Sequence, residues 1–226
     1  MPKLRVEVWS DVACPWCYVG KRRLETAISR MPSPADVEVV WRSFELDRDA
    51  PRVRRVRTSY VERLARKYRT TTGQAEAMVE RLTTLGAAEG IAFDLERVRP
   101  GNTFDAHRVL HLAREEGVQA AVGERLMRAY FTEGEAIGDR KTLARLAADV
   151  GLDPAEVRRV LAGRKYAGAV RADEAEARRL GIHAVPFYGM GEEYGVTGAH
   201  PVEVLQDALL QAWTAVLERA ERAGPA

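Results

Sequence analysis

The hydrophobic and polar positions change their period twice along the chain, from strand-like to helical and back. Leu4 to Trp9 and Val37 to Trp41 are valine-rich runs that predict strands, and Arg42 to Leu46 can extend the second run. Between them, Pro15 to Arg30 places its apolar residues near a helical spacing, and the following Pro32-Ser33-Pro34 ends the helix. A crossover of this length between two strands predicts a parallel βαβ unit.

Helical stretches follow one another from about residue 51 to residue 180, with almost no β-rich run among them. A block of helices this long inside a β-containing domain indicates an inserted subdomain. The seven predicted helices are Thr58 to Tyr68, Thr72 to Glu89, Thr103 to Glu116, Gln119 to Phe131, one that Asp139 caps and Gly151 stops, one that begins at Asp153-Pro154, and Arg164 to Leu180.

The β-prone pattern returns near the end of the chain. Ala184 to Met190 and Tyr194 to Thr197 are separated by three residues that include a glycine, which predicts a hairpin. Pro201 to Ala220 follows as a helix with a broad apolar face. The order predicts an α/β fold with βαβ and ββα halves. We expect residues 1–50 and 181–226 to form one discontinuous domain, interrupted by a large all-helical inserted subdomain, residues 51–180.

Composition and charge exclude several classes of protein. Hydrophobic residues make up 46% of the 226 residues, which is enough for a substantial core. The net charge of +2 lacks the basic excess that is typical of a nucleic-acid binder. No stretch approaches the apolar length of a membrane span, and the first residues show no signal-peptide pattern. We therefore expect a cytoplasmic protein without a nucleic-acid or membrane partner.

Cys14 and Cys17 are the only cysteines in the chain and are separated by two residues. They follow the first predicted strand, and Pro15 marks the first position of a helix. A Cys-x-x-Cys pair at such a junction is typical of a redox centre, because a helix N-terminus favours the thiolate that attacks disulfides. Two alternatives stay open: an inert buried pair, and half of a zinc site that His107 and His111 complete.

Four stretches carry a resemblance to a known family. They are Asp11 to Cys17, which contains the cysteine pair, Asn102 to Arg108, Ala177 to Phe187, and Tyr194 to Pro201. On these stretches the chain resembles the DsbA-like branch of the thioredoxin fold, in which a helical subdomain separates the βαβ and ββα halves. Within that branch it is similar to the cytoplasmic FrnE-like dithiol–disulfide isomerases. The resemblance covers nearly the whole chain.

The resemblance implies an enzyme, a thiol:disulfide oxidoreductase or isomerase, and roles for the residues of the motif. Cys14 is expected to attack a disulfide, and Cys17 is expected to resolve the mixed disulfide. Pro15 and Trp16 lie between the cysteines and tune them, and Trp16 either offers a flat surface to substrates or packs against the domain.

Substrate binding is expected at Val185 and at Pro186, the residue that corresponds to the family's cis-proline. The resemblance implies a redox-active disulfide, and neither a tightly bound cofactor nor a metal. Glutathione stays open as a co-substrate. The expected partners are a disulfide-containing protein or small molecule and a thiol reductant or oxidant. The chain is expected to be a monomer or a homodimer.

The remaining polar residues each have two interpretations. Asp11 either assists proton transfer at the thiols or stabilises a turn. His107 and His111 are expected on a helix that faces the cleft. There His107 could act on the thiols indirectly, through a residue that contacts them. The stretch Arg52 to Arg69 carries eight bases and one acid, which indicates a solvated helix face or a docking surface for an acidic partner.

A rival function comes from another class of protein with the same architecture. Kappa-class glutathione transferases and 2-hydroxychromene-2-carboxylate isomerases resemble this chain in their inserted helices. They typically have a serine where Cys14 stands and need no second cysteine, so Cys17 discriminates between the two hypotheses. A zinc-stabilised binding protein is the third hypothesis.

Overall fold

A four-stranded mixed sheet joins the two ends of the chain. In the computed structural model, which describes residues 2–54 and 58–223, β1 (Leu4–Ser10) pairs in parallel with β2 (Val37–Ser43). On its other side β1 pairs antiparallel with β3 (Phe187–Met190), which in turn pairs antiparallel with β4 (Tyr194–Thr197). The strand order β2-β1-β3-β4 unites the predicted βαβ and ββα halves and confirms the predicted α/β class.

Within the described residues, one helix crosses between β1 and β2, seven lie between β2 and β3, and one follows β4. None of these helices has the length and apolarity that crossing a membrane requires. Two short 3-10 helices, Pro34–Asp36 and Leu95–Arg97, lie in the connections. The helices are α1 (Pro15–Ser29), α2 (Tyr60–Tyr68), α3 (Thr72–Ala88), α4 (Phe104–Glu115), α5 (Gln119–Phe131), α6 (Arg140–Ala148), α7 (Pro154–Ala162), α8 (Ala167–Arg179) and α9 (Val202–Ala223).

One face of the sheet is covered by α1 and α9. Side chains alternate across a strand, and in β1 this places Leu4, Val6 and Val8 on the same, fully buried face. They pack in one cluster with Leu24 of α1 and Leu209 of α9. The first helix and the last helix are thereby fixed against the same strand.

The largest core cluster joins the beginning of α1 to the helices that follow β2. Cys17 belongs to this cluster, together with Val109 of α4, Leu126 of α5 and Leu143 of α6. Each of these side chains is fully buried. The cysteine pair is therefore held by packing against the helical block as well as by the strand that precedes it.

Candidate active site

Cys14 is the N-cap residue of α1, with extended backbone angles of φ −96° and ψ 114°. Its N–H donates to the carbonyl of Asp11 at 3.0 Å, which closes a tight turn after β1. Its own carbonyl accepts from the N–H groups of Cys17 and Tyr18, at 3.1 and 3.3 Å. Pro15 occupies the first helical turn, where a missing N–H costs nothing. The local sequence thus places the first thiol at the positive end of the helix dipole.

The two thiols are unbonded and differ in their surroundings. Cys17 is fully buried, and 4% of Cys14 is exposed. Burial raises the pKa of the Cys17 thiol well above its ordinary value, and the adjacent Cys14 sulfur raises it further. Cys17 is therefore a neutral thiol at physiological pH when the pair is reduced.

The segment before β3 lies directly against Cys14. The Val185–Pro186 peptide bond is cis, as the family resemblance implied, and the Val185 carbonyl oxygen lies 3.7 Å from Sγ of Cys14. The next carbonyl, that of Pro186, accepts from the N–H of Gly198 at 2.7 Å. Pairing with the opposite strand therefore uses the Pro186 carbonyl and leaves the Val185 carbonyl directed at the sulfur.

Gly20 of α1 allows this segment to come so close. A Cβ atom at residue 20 would stand 2.2 Å from the Tyr188 hydroxyl and 3.0 Å from Cγ of Pro186. The Tyr188 hydroxyl is buried and has no hydrogen-bond partner among the described residues. Burial raises the pKa of Tyr188 well above its ordinary value, and the nearby Cys17 and Cys14 raise it further. Sequence reasoning placed Tyr188 in a strand but did not connect it, or Gly20, with the thiols.

Asp11 is buried and holds backbone groups with its carboxylate. One oxygen accepts from the N–H of Ala13 at 3.1 Å, and the other accepts from the N–H of Leu46 at 2.8 Å. His107 lies behind it, 1% exposed, with Nε2 3.6 Å from Oδ1 of Asp11. Neither ring nitrogen of His107 has a hydrogen-bond partner within the described part of the chain. The turn role of Asp11 is therefore visible in its contacts, and its part in proton transfer stays a prediction.

His111 lies on another side of α4. Its Nε2 is 3.1 Å from Oδ2 of Asp173 and 3.2 Å from the hydroxyl of Ser43. His107 and His111 are both buried, and neither lines the cleft that the sequence led us to expect them to face. No three potential metal ligands are grouped within residues 2–54 and 58–223, so the four residues of the zinc hypothesis are not brought together.

A cleft of ≈ 440 Å³ opens beside Cys14. Trp16, 37% exposed, forms part of its wall, together with the segment His183 to Val185. The opposite wall comes from α2, α3, α5 and the connections before α2 and after α3, and sequence analysis did not place these residues beside the thiols. The i, i+4 pair Arg63 and Lys67 in the basic run was the one available signal. The opposite wall comprises Leu46, Arg54, Tyr60, Arg63, Leu64, Lys67, Tyr68, Met78, Leu82, Val98, Pro100 and Tyr130.

Comparison with known proteins places this geometry in a family. Residues 5–210 match the DSBA-like thioredoxin domain. The uncharacterized protein YwbO from Bacillus subtilis (strain 168) is 31% identical over 208 residues, which cover 91% of this chain and 96% of YwbO. The crystal structure of a probable DsbA oxidoreductase from Streptomyces coelicolor is 45% identical, with a TM-score of 0.87, and the match covers 93% of this chain and 90% of that one.

A more distant neighbour shares the fold alone. The cytosolic disulfide reductase DsbM from Pseudomonas aeruginosa, in its structure with GSH, is 19% identical, with a TM-score of 0.58 and coverage of 96% and 99%. The family match spans both cysteines and the cis-proline, so the architecture and the redox motif agree. The chain therefore belongs to the DSBA-like thioredoxin domain family and is an oxidoreductase of that family.

Proposed function

We propose that the protein is a thiol:disulfide oxidoreductase in which Cys14 attacks substrate disulfides and Cys17 resolves the product. The observation that carries the proposal is the placement of Cys14. It caps α1, borders the cleft and lies 3.7 Å from the Val185 carbonyl, whereas Cys17 is fully buried. A substrate disulfide can reach the first sulfur from the cleft, and the second sulfur is reached only through the first.

The reaction is a two-electron exchange between sulfur atoms. The Cys14 thiolate attacks one sulfur of the substrate, a mixed disulfide forms, and the other substrate sulfur leaves as a thiolate that takes up a proton. Cys17 then loses its proton and attacks Cys14, which releases the second substrate thiol. The enzyme ends with a Cys14–Cys17 disulfide, and a thiol reductant restores the pair. An oxidant partner would drive the same steps in reverse.

We place the activity in the cytoplasm, with small thiols such as glutathione as the reducing partner. The structure of DsbM with GSH supports this choice, since it couples the same fold to a cytosolic reductase and a small thiol. The isomerase activity of the FrnE-like proteins uses the same first step, because an attacking thiolate also rearranges disulfides. Val185 and Pro186 would then border the bound substrate through the backbone.

Insulin reduction with dithiothreitol, run beside a redox titration of the Cys14–Cys17 pair in glutathione buffers, tests the proposal. We expect wild type to accelerate reduction, the Cys14→Ser variant to fall to the uncatalysed rate, and Cys17→Ser to lose multiple turnover. A pair that cannot be titrated, or full activity in Cys17→Ser, would instead favour the glutathione-transferase class.

A further inference from the structure

The cleft beside Cys14 is basic on one wall. Arg54, Arg63 and Lys67 border it, and no carboxylate does so among the described residues. Arg54 is neutralised in part by Asp47, whose Oδ2 lies 3.3 Å from Nη2 of Arg54. Arg63 and Lys67 stand four residues apart on α2, so one helix face directs both charges to the same region.

Aromatic rings hold these two cations in place. The guanidinium carbon of Arg63 lies 5.4 Å from the centre of the Tyr60 ring, and Nζ of Lys67 lies 5.6 Å from the centre of the Tyr68 ring. Nη1 of Arg63 donates to the carbonyl of Thr58 at 2.7 Å. Its Nη2 is buried and has no hydrogen-bond partner within residues 2–54 and 58–223. A buried guanidinium donor without an acceptor is the group that a bound anion would satisfy.

The other charges of α2 are engaged elsewhere. The Glu62 carboxylate accepts from the N–H of Ser59 at 2.8 Å, in a capping box at the start of the helix. Arg66 and Arg69 are exposed and do not border the cleft. Among the described residues of the basic run, Arg54, Arg63 and Lys67 therefore border the cleft beside Cys14, whereas Arg52, Arg66 and Arg69 do not.

The size of the cleft and the polarity of its lining limit the class of ligand that it can bind. The ≈ 440 Å³ of the cleft lies within the range of small-molecule sites. Burial raises the pKa of Tyr60 to about 12, so this phenol stays neutral and adds no negative charge. Met78 and Leu82 add apolar side chains to the lining of the cleft.

We propose that this cleft selects small disulfides that carry a carboxylate, with Arg63 and Lys67 binding the carboxylate while Cys14 reacts with the disulfide. The inference rests on the proposed function, because the ligand is a substrate of the same thiol. The reduced pair gives two electrons to the disulfide, the substrate S–S bond breaks, and two carboxylate thiols are released. The Cys14–Cys17 bond that forms balances the exchange.

Three disulfides of similar size and different charge test the proposal. The probes are dithiodipropionate, which is a dianion, bis(2-hydroxyethyl) disulfide, which is neutral, and cystamine, which is a dication. The reduced enzyme is mixed with each probe, quenched by acid at set times, and its oxidation is followed by mass spectrometry. The ratio of the rate constant for the dianion to that for the neutral probe measures selectivity.

We expect wild type to react with the dianion faster than with cystamine. Lys67→Gln and Arg63→Gln should each lower the dianion-to-neutral ratio by about tenfold, the effect of losing one charged hydrogen bond. Arg63→Lys should restore part of the ratio. Arg66→Gln removes the same charge from the same helix outside the cleft, and it should keep the wild-type ratio.

An unchanged ratio in Lys67→Gln, or an equal fall in Arg66→Gln, would overturn the inference while leaving the oxidoreductase function intact. A wild-type enzyme that accelerates insulin reduction but reduces none of the three probes would overturn the inference alone, and one that reduces neither insulin nor the probes would overturn both. A disulfide-linked acidic peptide that reacts faster than dithiodipropionate would contradict the small-molecule class.

Discussion

The chemistry of the site depends on the unequal environments of two identical side chains. Cys14 reaches the cleft, while Cys17 is enclosed by the core that α1 shares with the helical block. Burial keeps Cys17 protonated, so it does not compete with Cys14 for the substrate disulfide. The proposed order of attack rests on this asymmetry, together with the position of Cys14 at the start of α1.

The raised pKa of Cys17 predicts a pH-dependent stability of the reduced protein. Its folded pKa lies above the unfolded value of about 8.5, so the stabilising effect is complete below that pH and is lost as the pH rises. Between pH 7.5 and 9.5, reduced wild type should lose about 1 kcal/mol more unfolding free energy than Cys17→Ala. Urea unfolding under reducing conditions measures this difference, and parallel pH profiles of the two proteins would refute it.

Gly20 is predicted to be required for the contact between α1 and the cis-proline segment. In Gly20→Ala the new methyl would collide with the Tyr188 hydroxyl and the Pro186 ring, which should cost about 1–3 kcal/mol and lower reductase activity. Gly123→Ala, in the middle of α5 with its nearest neighbour at 3.7 Å, should instead raise stability by about 0.5–1 kcal/mol. Thermal unfolding and insulin reduction measure both variants, and equal effects would contradict the steric argument.

Among the elements, strands and helices were largely predictable because their signals are local. Valine-rich runs marked β1 and β2, and Asp153-Pro154 marked the start of α7. The orientation of α4 was not predictable, because nine consecutive residues from Asp105 to Ala113 are buried, polar and apolar alike, and this stretch has no exposed face. The buried positions of His107 and His111, away from the lining of the cleft, were therefore not predicted. The cleft itself combines Tyr60 and Tyr130, which only tertiary packing brings together.

A cluster of charges joins α1 to α5. Nζ of Lys21, a residue only 4% exposed, lies 2.8 Å from Oε2 of Glu124, while Oε1 accepts from the Tyr18 hydroxyl at 2.7 Å and from Arg22 at 2.6 Å. Burial alone would raise the pKa of Glu124, but Lys21, Tyr18 and Arg22 outweigh burial and hold it below its ordinary value. The carboxylate is thus charged at neutral pH and fixes α1, the helix that carries Cys17, to the helical block.

Removing this charge should destabilise the protein at neutral pH. Glu124→Gln leaves Lys21 with Glu25 as its remaining partner and should lower the free energy of unfolding by about 2 kcal/mol. The control Glu76→Gln, at an exposed position of α3, should lower it by less than about 0.5 kcal/mol. Because the folded pKa of Glu124 is lowered, its contribution is complete above about pH 4.3 and is lost as the pH falls. Denaturant unfolding at pH 7 and about pH 3 should show the difference narrowing, and a constant difference would contradict the ion-pair account.

At the scale of the whole molecule, the core spans the predicted domain division. Residues 51–180 were predicted to form an inserted subdomain, and that division stays a prediction. Cys17 nevertheless packs in the same cluster as Leu126 and Leu143, which lie in that segment. We therefore expect the thioredoxin-like part and the helical block to unfold together.

The four tryptophans, at positions 9, 16, 41 and 213, all lie outside residues 51–180 and report on the thioredoxin-like part. Leu126→Ala, a fully buried change in α5, should cost about 2–5 kcal/mol and shift the tryptophan-fluorescence and far-UV circular-dichroism midpoints equally. Leu209→Ala, in the cluster between the sheet and α9, should behave in the same way. A tryptophan midpoint that stays in place while ellipticity is lost would show that the two parts unfold separately.

The most direct test of the account is the trapping of the first intermediate. Reduced Cys17→Ser is mixed with bis(2-hydroxyethyl) disulfide, quenched with acid and mapped by peptide mass spectrometry. We predict one mercaptoethanol adduct on Cys14, no adduct in Cys14→Ser on the same timescale, and an internal disulfide without adduct in wild type. An adduct that forms on Cys17 in Cys14→Ser as fast as on Cys14 in Cys17→Ser would contradict the assigned roles of the two thiols.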